Sequence, residues 1–167
     1  MSVERPPFAL LNVVYGMYKN DHAPCKDSKI LNQCAVRLTL AMGRCGFSFA
    51  LFEPQKRLHH DRSSCRLNDP HIVGADELHR FFMYVWDTGL KGKGGEIKKK
   101  IKGKPGIVYF DDCFIRPGES ARKGDHIDLW TGEKIYNQIL YLKAGGDTTA
   151  DSDLFARASF VRFFWLP

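Results

Sequence analysis

The sequence has no run of about eighteen apolar residues, the length that an α-helix needs to cross a bilayer. Its first residues, Met-Ser-Val-Glu-Arg-Pro-Pro, also lack the basic region and apolar core of a signal peptide. We therefore expect a chain that is made in the cytoplasm and does not insert into a membrane. If it acts outside the cell, it leaves by a route that reads no cleaved signal.

Cys-x-x-Cys spacing is also missing, which argues against a zinc ribbon or an iron–sulfur site. The adjacent His59 and His60 have no further ligand at a usual spacing, so we expect a solvated loop there, with no metal and no cofactor. The odd number of cysteines suggests one functional thiol. In an oxidising compartment the other four could pair in three ways, and the sequence does not select among these. The cysteines are Cys25, Cys34, Cys45, Cys65 and Cys113.

The composition predicts one compact domain over residues 1–167, because 44% of the residues are hydrophobic and 13% are aromatic. The formal net charge of +6 favours an anionic partner, whether nucleic acid, an acidic membrane surface or an acidic wall polymer. Most of the local charge lies in the glycine- and lysine-rich stretch from Lys91 to Lys104. That stretch lacks aromatic residues for stacking on bases, so we predict a solvated loop and rank nucleic-acid binding second.

Residues 31–45 carry the pattern of a helix with one buried face, and the thiol of Cys34 lies on that face. Asn32 is the expected N-cap, which places Cys34 two positions into the helix, where the dipole and unpaired amides favour a thiolate. We expect the helix to end near Gly43 or Gly46. These residues alone leave packing and catalysis equally open for the thiol. The apolar positions are Leu31, Cys34, Ala35, Leu38, Ala41, Met42 and Cys45.

Two further helices and three strands are predicted. Pro6-Pro7 precede a helix over 8–15, and a second helix buries Leu78, Phe81, Phe82 and Val85. Strands cover 106–110, closed by Asp111-Asp112, then 124–130 and 160–165. On the second strand Ile127 and Leu129 share one face. The other, less apolar face carries His126, Asp128 and Trp130, so we expect His126 to reach out of the sheet.

A cysteine at a helix start, followed by a histidine on a strand later in the chain, is the arrangement that papain-like folds use. The imidazole takes the thiol proton, and the helix N-terminal amides around Cys34 can stabilise the oxyanion. A third group must orient the histidine ring. The pattern therefore predicts a nucleophilic Cys34 paired with His126.

Four segments together resemble the fourth family of type VI secretion amidase effectors, which are antibacterial toxins with an NlpC-type papain-like fold. The resemblance implies an α+β protein whose N-terminal helices, including the nucleophile helix, pack on an antiparallel β-sheet. The segments are Asn32-Gln33-Cys34-Ala35-Val36-Arg37-Leu38, His71-Ile72-Val73-Gly74-Ala75-Asp76-Glu77-Leu78, Gly103-Lys104-Pro105-Gly106-Ile107-Val108-Tyr109-Phe110 and Gly124-Asp125-His126-Ile127-Asp128-Leu129-Trp130-Thr131-Gly132.

The resemblance further implies a cysteine amidase, a DL-endopeptidase that hydrolyses the bond between the γ-carboxyl of D-glutamate and meso-diaminopimelate in peptidoglycan stem peptides. Such an enzyme is exported by the type VI secretion apparatus and acts in the periplasm of a rival bacterium. A cognate periplasmic immunity protein protects the producer. The implied partners are thus peptidoglycan peptides, the immunity protein and the secretion apparatus, without nucleic acid.

By the same resemblance Cys34 is the nucleophile and His126 the general base. Asn137 takes the third position, where family members generally place an aspartate. Asp128 is the alternative third member, but two residue rises, roughly 6 to 7 Å, make a direct hydrogen bond to the ring awkward. Gln33 is a candidate oxyanion donor, and Trp130 is a candidate substrate contact.

Two other functions remain open from the sequence. One is an acyltransferase on the same scaffold, although lipid-directed relatives place their histidine before the cysteine, whereas Cys34 precedes His126 here. The other is a basic polyanion-binding module in which Cys34 is structural.

Overall fold

The computed structural model describes residues 3–18, 24–25, 30, 32–52, the backbone of 58–59, and residues 71–86, 89–116, 118–136 and 154–167. Five helices and six strands lie in these ranges. In chain order they are α1 (Phe8–Tyr18), α2 (Cys34–Arg44), β1 (Leu58–His59), β2 (His71–Ile72), α3 (Ala75–Trp86), β3 (Leu90–Gly92), α4 (Gly94–Ile101), β4 (Gly106–Ile115), β5 (Arg122–Trp130), α5 (Leu154–Arg157) and β6 (Val161–Trp165).

The main sheet has four antiparallel strands in the order β3-β6-β4-β5. The central strand β4 pairs with β5 from Gly106 opposite Trp130 to Phe110 opposite His126. Strand β5 therefore forms one edge of the sheet in the described part of the chain, and helix α2 packs on it. Strands β1 and β2 pair antiparallel in a separate two-stranded sheet.

Both faces of the main sheet are covered. On β4 and β5, alternate side chains Ile107, Tyr109, Ile127 and Leu129 pack with residues of α1, α2 and α3 in one core. The alternate residues of β4, Val108 and Phe110, face the other side of the sheet. They join Trp130 and residues of α4 and α5 in a second core. The predicted alternation along β5 is confirmed, but the predicted exposed face is wrong, because the sheet has helices on each side.

Helix α2 is buried on every side rather than on the one face that its apolar spacing predicts. All nine side chains from Cys34 to Met42 are buried, including those of Arg37 and Thr39. The Thr39 hydroxyl donates to the Ala35 carbonyl at 2.7 Å, which satisfies it inside the helix. The helix ends as predicted, at Arg44, and Gly46 adopts a φ of +82°, a conformation that favours glycine after a helix.

Helices α1 and α3 match their predictions. Phe8 opens α1 directly after Pro6-Pro7. In α3 the four predicted apolar residues are buried, with Leu78 and Phe82 at 0% exposure. Phe82 stacks on Trp86 with ring centroids 4.4 Å apart.

The loop predicted for Lys91 to Lys104 is wrong, because the structure forms β3 and α4 there. Ile97 and Ile101 are one helical turn apart, and they anchor α4 in the second core. A glycine is required at the start of this helix, since a Cβ on Gly94 would collide with the Phe155 carbonyl. The sequence pattern obscured a short helix whose other positions are glycine, lysine and one glutamate.

The predicted end of β4 at Asp111-Asp112 is also wrong. A β-bulge shifts the register after Phe110, and the strand resumes to Ile115. At the bulge Asp112 adopts a φ of +47°, and its amide donates to the Asp125 carboxylate at 3.1 Å. The two acidic residues therefore bend the strand rather than stop it.

The fold class is α+β, as predicted. No helix in the described ranges has both the length and the apolar character needed to span a membrane.

Candidate active site

Cys34 lies at the first position of α2, with Gln33 as the N-cap residue. The predicted N-cap, Asn32, is one residue too early, but its side chain still performs a capping function. The Cys34 amide donates to the Asn32 Oδ1 at 3.2 Å, so this otherwise unpaired helix amide is satisfied. The thiol is therefore held at the positive end of the helix dipole.

Gln33 is engaged with the chain that precedes the helix. Its Oε1 accepts from the Cys25 amide at 2.8 Å, and its Nε2 donates to the carbonyls of Cys25 at 2.6 Å and Ile30 at 3.2 Å. Both amide hydrogens are thus already used, and the side chain is 3% exposed. The prediction that Gln33 donates to an oxyanion is wrong for this structure, because the side chain instead ties residues 25 and 30 to the start of α2.

His126 lies on β5 between Cys34 and Asp128. Its side chain and the Cys34 thiol lie near enough to shift each other's pKa, and its Nε2 is 3.4 Å from the Asp128 Oδ2. Because Nε2 faces Asp128, Nδ1 is the nitrogen that can exchange a proton with Cys34. The structure thus brings a thiol, an imidazole and a carboxylate into one chain of contacts.

The expectation that Asp128 is poorly placed for a hydrogen bond to the His126 ring is wrong. Residues two apart on one strand face do lie about 6 to 7 Å apart at their Cα atoms. Their side chains lean toward each other, however, and the functional atoms reach 3.4 Å. Asn137, the other candidate for the third position, lies outside the described residues.

Tyr15 is part of this site, although nothing in the sequence pattern distinguished it from a core residue. It projects from α1, and its hydroxyl donates to the Asp128 Oδ1 at 2.7 Å. The Leu129 amide donates to the same oxygen, also at 2.7 Å. One carboxylate oxygen is therefore fixed by two donors, which leaves Oδ2 for His126. A buried tyrosine needs a partner for its hydroxyl, and that requirement was the available signal.

The electrostatics favour a thiolate–imidazolium pair. Burial alone would raise the pKa of Cys34, but the hydrogen bond and charge of His126, the Ile127 amide and the Arg37 guanidinium bring it below its usual value. Burial opposes protonation of His126, yet Asp128 and Cys34 together raise the pKa of His126 to about 9. The two shifts have opposite directions, and both favour a proton on the imidazole over a proton on the sulfur.

The three side chains are nearly closed to solvent, with exposures of 2% for Cys34, 1% for His126 and 0% for Asp128. The low dielectric of such a site strengthens the charge interactions inside it.

Trp130, the candidate substrate contact, is engaged with α4, so its role toward substrate stays a prediction. The indole is 2% exposed, and its Nε1 donates to the Ile101 carbonyl at 3.1 Å. The ring packs edge-on against Phe155 in the second core. Trp130 therefore joins α4 to the end of β5.

Cys45 makes none of the contacts described for Cys34, His126 and Asp128, whereas Cys113 lies near enough to Cys34 and His126 for both to affect the pKa of its thiol. Cys34, Cys45 and Cys113 are in the thiol form. The described residues contain no group of three or more His, Cys, Asp and Glu side chains that could hold a metal ion. The chemistry available to the described site is that of a thiolate, an imidazole and a carboxylate.

A comparison with protein families supplies the context for this geometry. The model of the family described as "Type VI secretion system (T6SS), amidase effector protein 4" matches residues 30–165. The chain belongs to this family. The match contains α2, β5 and β6, so it covers Cys34, His126 and Asp128, while Tyr15 precedes it.

Solved structures of effectors in this family, named Tae4, have the same fold. A Tae4–Tai4 effector–immunity complex from Salmonella Typhimurium matches with a TM-score of 0.67 and 15% identity, over 98% of this chain and 100% of that chain. Tae4 from Enterobacter cloacae matches with a TM-score of 0.64 and 15% identity, over 100% of both chains. A search of curated proteins finds no match.

Family membership identifies the chain as an antibacterial amidase effector of the type VI secretion system. The fold is papain-like, of the NlpC type, as the sequence resemblance implies. The sequence alone is therefore sufficient to identify the family.

Proposed function

We propose that this amidase is a cysteine DL-endopeptidase that hydrolyses the bond between the γ-carboxyl of D-glutamate and meso-diaminopimelate in peptidoglycan stem peptides. The observation that carries the cysteine mechanism is the buried row of Cys34, His126 and Asp128, in which His126 lowers the pKa of the thiol and lies 3.4 Å from the carboxylate. The choice of the D-glutamate–diaminopimelate amide as the bond that is hydrolysed is inferred from the family that the sequence resembles. Residues 1–167 form one amidase domain in this proposal.

The first half of the reaction forms a thioester. The Cys34 sulfur attacks the γ-carbonyl carbon of D-glutamate, and the electron pair of the carbonyl moves to oxygen. The N-terminal amides of α2 stabilise that oxyanion. His126 then transfers its proton to the leaving nitrogen of diaminopimelate, the C–N bond breaks, and the amine departs.

The second half consumes water. The neutral His126 removes a proton from a water molecule, whose oxygen attacks the thioester carbon. The C–S bond breaks, a free γ-carboxylate leaves, and the Cys34 thiolate and the His126 imidazolium are regenerated. The enzyme thus returns to its starting protonation state without a cofactor.

Asp128 is the residue that we propose to orient His126, because its Oδ2 is 3.4 Å from the ring and its Oδ1 is fixed by Tyr15 and Leu129. A carboxylate also stabilises the imidazolium, which an asparagine does less well. Asn137, favoured by the family resemblance, stays a prediction for the same role.

Cellular context follows from the family and from the complexes that resemble this chain. We propose export by the type VI secretion apparatus, action in the periplasm of a target cell, and neutralisation by a cognate immunity protein. The support is that similar effectors have been crystallised with an immunity protein, as in the Tae4–Tai4 complexes.

The decisive experiment incubates purified protein with soluble muropeptides and measures new free amino groups on diaminopimelate. We expect cleavage by the wild type, none by Cys34→Ala, and unchanged cleavage by Cys45→Ala, a matched free thiol that makes none of the described site contacts. Hydrolysis in ¹⁸O-labelled water must place one label in the new γ-carboxylate. Equal cleavage by Cys34→Ala would refute the cysteine mechanism, and absence of the label would indicate transfer to an acceptor other than water.

A further inference from the structure

One short segment carries the entire net charge of the chain. The sequence has 25 basic and 19 acidic side chains, a net charge of +6. Residues 90–104 contain seven lysines and one acid, Glu96, which is also a net +6. The remainder of the chain is therefore balanced, with 18 side chains of each sign. We call these seven residues the lysine surface: Lys91, Lys93, Lys98, Lys99, Lys100, Lys102 and Lys104.

The structure turns this segment into a one-sided element. Helix α4 buries Gly94, Ile97 and Ile101, while every lysine of the lysine surface is exposed. Within the described ranges, Lys99, Lys100 and Lys102 have no carboxylate partner. Their charges are thus available to an external anion, held on a helix whose other face is fixed in the core.

The lysine surface is joined to the strand that carries the histidine. Trp130 at the end of β5 donates to Ile101 at the end of α4, and the Gly103 amide donates to the Gly132 carbonyl at 2.8 Å. His126 is four residues before Trp130 on the same strand, or about 13 Å along it. The helix that carries the lysines is therefore attached to the end of the strand that carries His126.

The chemistry of this surface selects the kind of anion. Residues 90–104 include no aromatic side chain. The rings beside the segment are covered, because Lys91 lies over Phe160 and Lys98 lies over Phe155. Single-stranded nucleic acid needs exposed rings for stacking, whereas a polymer of repeated carboxylates needs only cations.

We propose that the lysine surface docks the enzyme on polymeric peptidoglycan through the free carboxylates of its stem peptides. The inference rests on the proposed function, since it assigns the substrate polymer as the ligand of a second surface. Each contact is weak and screened by salt, but many carboxylates in one sacculus make the binding multivalent. The surface raises the local concentration of enzyme on intact wall and contributes nothing to a soluble fragment.

Binding to isolated sacculi tests this proposal in a Cys34→Ala background, where the wall stays intact. The variant Lys99→Gln/Lys100→Gln/Lys102→Gln removes three charges that make no described contact. We expect about tenfold weaker binding at about 0.05 M salt and no difference at about 0.5 M, since exposed pairs contribute little each and are screened. The melting temperature checks that α4 remains folded.

A matched variant controls for total charge. Arg116→Gln/Lys123→Gln/Lys134→Gln also lowers the net charge from +6 to +3, at exposed positions outside the lysine surface. We expect it to retain sacculus binding. Equal losses in both triple variants would show that only total charge matters, and would overturn the proposal.

Activity separates this proposal from the proposed function. With Cys34 present, the lysine variant should cleave soluble muropeptides at the wild-type rate and intact sacculi more slowly. Failure of the wild type to cleave muropeptides would refute the amidase reaction, while sacculus binding would still report on the lysine surface. If the lysine substitutions weaken duplex DNA binding but not sacculus binding, the assignment to peptidoglycan is refuted.

Discussion

Replacement of Asp128 by asparagine tests the arrangement behind the histidine most directly. The substitution keeps the size of the side chain and removes its charge. A charge pair at 3.4 Å in an effective dielectric of about 20 is attracted by about 5 kcal/mol. That energy corresponds to a factor of about 4,000 in rate, and it is an upper limit because the asparagine can still hydrogen-bond to the ring.

We therefore expect Asp128→Asn to lower kcat on muropeptides by about 100- to 4,000-fold, with a small change in KM. The pKa of His126 should fall from about 9, because its largest stabilising partner has lost its charge. The pH dependence of Cys34 alkylation should then move toward that of an ordinary thiol. The assays are muropeptide cleavage and the rate of iodoacetamide labelling against pH.

Asp128 is fully buried, so the variant needs a test of folding as well as activity. Tyr15→Phe provides a gentler perturbation, because it removes one hydrogen bond to Asp128 and should cost about fivefold in kcat. Asn137→Ala is the competing substitution. The reasoning is refuted if Asp128→Asn folds normally and keeps kcat within about threefold, while Asn137→Ala abolishes cleavage.

The remaining predictions concern other residues of the candidate site, the start of α2 and helix α4. We expect Asn137→Ala to cost less activity than His126→Ala, measured as kcat on muropeptides, and equal complete loss would contradict this. The free energy of unfolding contributed by protonated His126 should be fully present below pH 6.5 and decline as pH rises through about 9, which denaturant titrations at several pH values would detect. Asn32→Ala should lower the unfolding free energy by about 1 kcal/mol through loss of the cap, and an unchanged midpoint in urea would argue against capping. Ile101→Ala should cost about 2 to 5 kcal/mol by leaving a cavity under α4, and a loss below about 1 kcal/mol would show that the helix is not anchored there.

Long periodic segments were predictable because burial imposes a repeat on them. The apolar positions of α3 and the alternation of β5 are examples. Both patterns arise because one face of the helix or strand packs against a given core. Helix α4 was not predictable in this way. Two isoleucines among lysines and glycines are too few to establish a period, and the contacts that hold them come from α5 and β6, far along the chain.

In the candidate site, too, local features could be predicted and tertiary contacts could not. Cys34 and His126 could be assigned from their order and sequence context, since these are local features. The contacts around Asp128 could not, because they depend on how two side chains lean on a twisted strand and on a hydroxyl that α1 supplies. The contacts of Gln33 and Trp130 could not be predicted either. Each has donors that backbone carbonyls elsewhere in the fold already occupy.

The complete burial of α2 limits the amino-acid substitutions that this helix can tolerate. Nine successive side chains, beginning with Cys34, have fixed volumes because each is enclosed by neighbours. Random substitution across the gene should therefore be rejected along this helix even at positions far from any chemistry. Four of the eight positions of α4 face solvent with a lysine or glutamate, so that helix should accept many replacements as long as its isoleucines remain. A library selected only for stable expression would show this contrast without any measurement of catalysis.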